Sequence, residues 1–146
     1  MSEFLILENK VLVSPQINAA DIDTAATQGI TLIINNRPDG EEVGQPTNDS
    51  LQKIAEAKGI KWLWIPVVGG QITPEDIENS IAAFKEADGK TLAYCRTGTR
   101  SSMMWSFYQA ATDNLSTADI LTNTSKAGYD FAQFTGMFEQ LRGTAK

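Results

Sequence analysis

Thr91-Leu92-Ala93-Tyr94-Cys95-Arg96-Thr97-Gly98-Thr99-Arg100-Ser101 decides how the rest of the chain is read. Its first four residues form a short apolar strand. Its middle is built of small and basic residues, and Ser101 to Ala111 continues as a helix by the spacing of Met104, Trp105 and Tyr108. A strand that turns directly into a helix places the turn at the carboxyl end of the strand, where open α/β sheets bind ligands. The first turn of the helix adds backbone N–H groups that no helical carbonyl satisfies. Cys95 stands at that junction.

Working outward, Val11-Leu12-Val13 reads as the first strand, stopped by Pro15. Asn18 caps a helix carrying Ile22, Ala25 and Ala26, with Gly29 as its left-handed terminator. Ile30 to Ile34 is a continuous apolar run, expected of a buried strand, and it opens into the loop Asn35-Asn36-Arg37-Pro38-Asp39-Gly40. A helix from Asn48 to Ala57 and a further buried strand, Trp62 to Val67, follow. Thr73 as N-cap, Pro74 at the first position and Asp76 three residues after the cap announce the next helix, which ends at Asp88-Gly89. Two short helices, after Ser116 and near Asp130, complete the chain. Strands alternating with helices predict an α/β class with one mainly parallel central sheet, flanked by helices, in a single domain over residues 1–146.

The 146 residues are 42% hydrophobic and 21% charged, which excludes a disordered or fibrous chain. A net charge of -6 opposes broad attachment to nucleic acid or to an anionic membrane, so the expected partner is a small molecule. No pattern sets an oligomeric state. There is no apolar run of spanning length, and the start Met1-Ser2-Glu3-Phe4 lacks a basic signal region, so a cytoplasmic location is expected. The single cysteine excludes an internal disulfide. The absence of histidine removes Ser-His-Asp triads, Cys-His pairs and Cys/His zinc sites together, and no cofactor or metal is expected.

Cysteine chemistry without histidine needs another source of activation. Arg96, Thr97, Gly98, Thr99 and Ser101 allow the backbone to curl into a nest of amides around an oxyanion, with Gly98 free to take an unusual φ. Arg100 adds a bidentate fork. The same donors favour a thiolate at Cys95. A lone cysteine after a strand is commonly a small buried hydrophobe, but two arginines, two threonines and a serine behind it suit a dry core poorly, so the nucleophile reading is preferred.

The loop resembles both the active loop of rhodanese-type sulfurtransferases, where cysteine carries a persulfide, and a shortened protein-tyrosine-phosphatase loop, where cysteine takes a phosphoryl group. Val13-Ser14-Pro15-Gln16, Ile34 to Glu42, Ile72 to Asp76 and Ala93-Tyr94-Cys95-Arg96 together resemble the phosphatase-like domain of the bacterial β-lactamase-hydrolase-like proteins, from about Val11 to Tyr129. That resemblance implies a dual-specificity-phosphatase-like fold. It leaves three activities open: a phosphatase acting through phosphocysteine, a sulfurtransferase, or a non-catalytic oxyanion sensor, with a small oxyanion or a phosphorylated or sulfane-sulfur substrate as the partner.

The chain departs from the phosphatase pattern in carrying Tyr94 where histidine precedes the cysteine, and in placing Arg100 five rather than six positions after it. The segment Val68-Gly69-Gly70-Gln71, where those enzymes place an aspartate, holds no acid. The candidates for a catalytic acid are Asp39, Glu41 and Glu42, with Pro38-Asp39-Gly40 equally readable as an ordinary turn, whereas helix capping already accounts for Asp76. Arg37 is expected either to touch the substrate anion or to pair with a carboxylate. Trp62, Trp64 and Met103-Met104-Trp105 are expected in the core or the pocket wall.

Overall fold

A computed structural model describes residues 3–146. Five strands form one sheet: β1 (Leu5–Glu8), β2 (Val11–Ser14), β3 (Ile30–Asn35), β4 (Lys61–Trp64) and β5 (Lys90–Tyr94). Their spatial order is β1-β2-β5-β3-β4, and only β1 runs antiparallel to its neighbour. The helices are α1 (Ala19–Thr27), α2 (Asn48–Ala57), α3 (Pro74–Glu86), α4 (Thr99–Ala111), α5 (Thr117–Lys126) and α6 (Thr135–Leu141), the last preceded by a 3-10 turn at Ala132–Phe134. The expected α/β class with a mainly parallel sheet is what forms.

Strand alternation sorts the core into two layers. Leu12, Ile33, Leu92 and Tyr94 pack with Ile22 of α1 and Leu51 of α2 on one face. Val11, Val13, Leu32, Ile34 and Ala93 pack on the other face with Phe84, Met104, Trp105, Phe107, Ile120 and Phe138. The second layer is the thicker, because α4 is buried around most of its circumference, as a helix enclosed by α3, α5 and α6 must be. Each large side chain hidden this way contributes about 2 kcal/mol relative to exposure. Two polar groups of α4 are met from β1, where the Glu8 carboxylate accepts from Trp105 Nε1 at 3.1 Å and Gln109 Nε2 at 2.6 Å.

Local signals set the helix starts. Asn18 and Asp21 form a reciprocal capping box at α1, and Thr73 and Asp76 form another at α3, with Pro74 in the first turn. Two expectations are corrected. The sheet begins one strand earlier than Val11, since Leu5–Glu8 folds back on β2. Trp62 to Val67 is not a buried strand: β4 ends at Trp64 and lies on the sheet edge, with Leu63 and Trp64 exposed. Pro66 has no N–H for a ladder, as befits an edge. Trp62 is buried against Tyr94, and Met103-Met104-Trp105 lie in the core.

No helix among the described residues is long and apolar enough to cross a membrane.

Candidate active site

Three parallel strands end together at the cysteine. Ser14 of β2 and Asn35 of β3 both pair with Tyr94 of β5, and the loops that leave them stay tied to the loop after β5. Asn36 N–H donates to the Tyr94 carbonyl at 2.8 Å, and Gln16 N–H donates to the Arg96 carbonyl at 3.2 Å. Ser101 Oγ donates to Asn36 Oδ1 at 2.8 Å, and Asn36 Nδ2 donates to the Ile65 carbonyl at 2.9 Å. The cysteine loop is thus laced to its neighbours on both sides before any ligand is considered.

Cys95 is fully buried, and its Sγ accepts the Gly98 N–H at 3.1 Å. That turn requires Gly98 at φ +88°, in the left-handed region that suits glycine. A Cβ at Gly98 would also run into the Tyr129 hydroxyl. Tyr129 lies over the loop and donates to the Thr97 carbonyl at 3.0 Å. Burial, and after it the adjacent Cys95 sulfur, push ionisation of the Tyr129 phenol upward. Gly98 caps α4, whose first backbone bond runs from Ser102 N–H to the Gly98 carbonyl at 2.9 Å. The N–H groups of Thr99, Arg100 and Ser101 therefore have no helical acceptor and remain available for an anion. The Thr97 and Thr99 hydroxyls are 2.9 Å apart.

Arginines and glutamates ring the mouth. Arg100 grips Glu41 with two hydrogen bonds, 2.8 and 2.9 Å, and donates to the Val67 carbonyl at 2.7 Å. Arg37 is buried, donating to Glu41 at 2.8 Å, Glu42 at 2.6 Å and Gln16 Oε1 at 3.0 Å. The exposed Arg96 reaches Glu42 at 3.1 Å. Hydrogen bonds from Arg100, reinforced by Arg37, hold the Glu41 carboxyl down at about 2 against a smaller opposing effect of burial. Arg37 and Arg96 lower Glu42 as well. Glu41 in turn keeps Arg100 firmly protonated, with the Cys95 sulfur adding to the effect. Glu41, Glu42, Val68, Gly69, Arg96 and Arg100 line an open depression of about 530 Å³.

The loop residues expected to bind substrate, Arg96, Thr97, Gly98, Thr99 and Ser101, do surround Cys95 and the start of α4, although the Ser101 hydroxyl is engaged by Asn36. Arg37 takes the carboxylate-paired alternative. Asp39 has a structural partner: its Oδ1 accepts the Asn48 N–H at 2.8 Å, at the N-terminus of α2. Tyr94, which precedes Cys95, packs in the α1 and α2 layer, where burial first and the Asp39 charge second push its ionisation upward. Sequence reasoning assigned no role to Tyr129, Asn36 or Gln16. The only signal for Tyr129 would have been an isolated aromatic after Gly128, and its contact with Thr97 spans 32 residues.

Comparison with known proteins agrees with this arrangement. The profile of the β-lactamase hydrolase-like protein, phosphatase-like domain, matches residues 3–112. A β-lactamase hydrolase-like protein of Agrobacterium fabrum is 33% identical over 134 residues, covering 92% of this chain and 31% of its own. The chain thus spans about a third of the length of the curated relatives it matches. The crystal structure of a candidate phosphatase from Neisseria meningitidis superposes with a TM-score of 0.81 at 34% identity, covering 94% of this chain and 97% of that one. Kinase associated phosphatase, whose catalytic-site residue is a cysteine, shares the fold with a TM-score of 0.73 at 16% identity, covering 99% and 95%. The fold is that of the protein-tyrosine and dual-specificity phosphatases, and the chain belongs to the family of the β-lactamase hydrolase-like phosphatase-like domain.

Proposed function

We propose that this chain is a cysteine-dependent phosphatase in which the Cys95 thiolate attacks a phosphoryl group. The observation that carries the reading is the Gly98 N–H aimed at Cys95 Sγ at 3.1 Å, at the mouth of a helix whose first amides are uncommitted. Backbone donors so placed stabilise negative charge on sulfur and on a phosphoryl oxygen alike, without reorganising during reaction. Arg100, adjacent to the sulfur and fixed in its charged form, supplies the fork for two of the phosphoryl oxygens once it exchanges its Glu41 partner for the substrate. Attack forms a phosphocysteine, which water then hydrolyses. Arg96, Thr97, Thr99 and Ser101 contribute backbone and side-chain contacts to the anion, and Arg37 acts through Glu41 and Glu42 by positioning the arm they stand on.

Release of phosphate from p-nitrophenyl phosphate, compared between wild type and Cys95→Ser, tests this reading. Turnover should vanish in the variant, and rapid acid quench should trap the phosphorylated wild-type chain by intact mass. Turnover that survives Cys95→Ser rejects it.

The short loop between Cys95 and Arg100 favours a second reading, a sulfurtransferase in which Cys95 carries sulfane sulfur. The Cys95 thiolate would then take the outer sulfur of thiosulfate, releasing sulfite and forming a persulfide, and cyanide would remove that sulfur as thiocyanate and return the thiolate. Binding of phosphate or sulfate with turnover in neither assay would identify an oxyanion sensor.

A further inference from the structure

We propose that the substrate of this site is a phosphoanhydride or acyl phosphate, whose leaving group departs as a stable anion, and not an alkyl or unactivated aryl phosphomonoester. The inference rests on the phosphatase reading above and follows from where the carboxyl groups around the cysteine are engaged. Expelling an alkoxide or a simple phenoxide needs a proton delivered to the leaving oxygen, a contribution on the order of 10² to 10⁴ in rate. The residues around the depression offer no free carboxylic acid for that task.

The segment from Ile65 to Thr73, which forms the wall on the Val68 and Gly69 side, contains no aspartate or glutamate. On the opposite loop, Asp39 is turned to the α2 N-terminus through Asn48 N–H. Glu41 and Glu42, the carboxylates that line the depression, are held by Arg100, Arg37 and Arg96. In the free chain those guanidinium groups hold both carboxylates ionised, Glu41 down to about 2; when Arg100 turns to the substrate, Glu41 keeps its bond to the buried Arg37, so near neutral pH neither carboxylate has a proton to give. Asp76 is occupied in its capping box with Thr73. The Tyr129 phenol donates to the Thr97 carbonyl, and its ionisation is disfavoured. What the site supplies in abundance is charge stabilisation for the phosphoryl group itself.

The chemistry balances without an acid. The thiolate of Cys95 forms the S–P bond while the bond from phosphorus to the leaving oxygen breaks, its electron pair leaving on a phosphate or carboxylate anion. Water then attacks phosphorus, the S–P pair returns to sulfur as thiolate, and dihydrogen phosphate departs to equilibrate with solvent.

The experiment measures kcat/KM for acetyl phosphate, pyrophosphate, p-nitrophenyl phosphate, phenyl phosphate and glycerol phosphate, with Cys95→Ser as background. Cys95-dependent turnover of acetyl phosphate at least about 100-fold above phenyl phosphate, with glycerol phosphate lower still, is expected. Asp39→Asn and Glu41→Gln should leave the ratio of phenyl to p-nitrophenyl phosphate unchanged. Cys95-dependent rates that are level across the series, or a selective loss of phenyl phosphate turnover in either carboxylate variant, overturn the inference while sparing the phosphatase. Absence of Cys95-dependent turnover with every substrate overturns both.

Discussion

Arg100 and Glu41, 59 residues apart in the chain, meet through a pair of parallel hydrogen bonds of 2.8 and 2.9 Å. This is the geometry in which a guanidinium recognises any planar pair of oxygens, so Glu41 stands where an oxyanion would compete for the same fork. On the proposed reading, part of the strength with which the site would hold an anion is already committed within the chain.

Glu41→Gln should therefore tighten inorganic phosphate, because the neutral amide releases the fork. Exposed ion pairs contribute up to about 1 kcal/mol, which corresponds to roughly a two- to fivefold fall in the inhibition constant. The sign with pH follows from the lowered carboxyl. Its folded value, about 2, is below the ordinary 4.5, so the pair's contribution to stability is full above that ordinary value and is lost as pH falls toward the folded one. Acid titrations of stability for wild type and Glu41→Gln should converge over this window, and divergence on acidification would show that the pair is not what titrates.

Gly98→Ala meets two obstacles, a left-handed φ and the Tyr129 hydroxyl. A loss on the order of 2 kcal/mol is expected from the backbone alone, read by urea denaturation. Phosphate affinity should fall with it, because the turn that aims the Gly98 amide at sulfur is the one disturbed.

Arg37→Ala removes a buried cation that two glutamates and Gln16 share. Breaking a fully buried pair costs roughly 3–5 kcal/mol. Here Glu41 and Glu42 can rehydrate, so about 2 kcal/mol is expected in chemical denaturation. Arg37→Lys should recover little, since a single ammonium cannot make the three divergent contacts.

Tyr129→Phe deletes one hydrogen bond to Thr97 and should cost about 1 kcal/mol. If Tyr129 holds the loop in shape, the alkylation rate of Cys95 by iodoacetamide will change by more than thermal stability alone accounts for. An unaltered rate would make the tyrosine ordinary packing.

Much of this architecture was legible in local chemistry. Thr73-Pro74 with Asp76, the Asn18 cap, and the Asn48–Ala57 periodicity all marked helices that form where expected. Gly98 starts α4 at Thr99, earlier than the apolar spacing from Ser101 suggested, since a positive-φ cap leaves no periodic trace. Leu5–Glu8 escaped because a short strand acquires its identity from its partner, Val11–Ser14. The apolar run at Trp62-Leu63-Trp64 looked interior because hydrophobicity alone does not distinguish an edge from a centre. In the site, the cysteine loop could be read from contiguous residues. The exchange of Arg100 with Glu41, and of Tyr129 with Thr97, depends on segments brought together only by the fold.

The placement of Tyr129 bears on how the chain can be shortened. The family profile stops at residue 112, but Ile120 of α5, Tyr129 and Phe138 of α6 all lie beyond it. A fragment ending there would uncover Phe107 on α4 and remove the roof above Thr97. The final helices are therefore masonry for the corner that holds Cys95, and trimming them to the shared portion would leave that cysteine with an unfinished room around it.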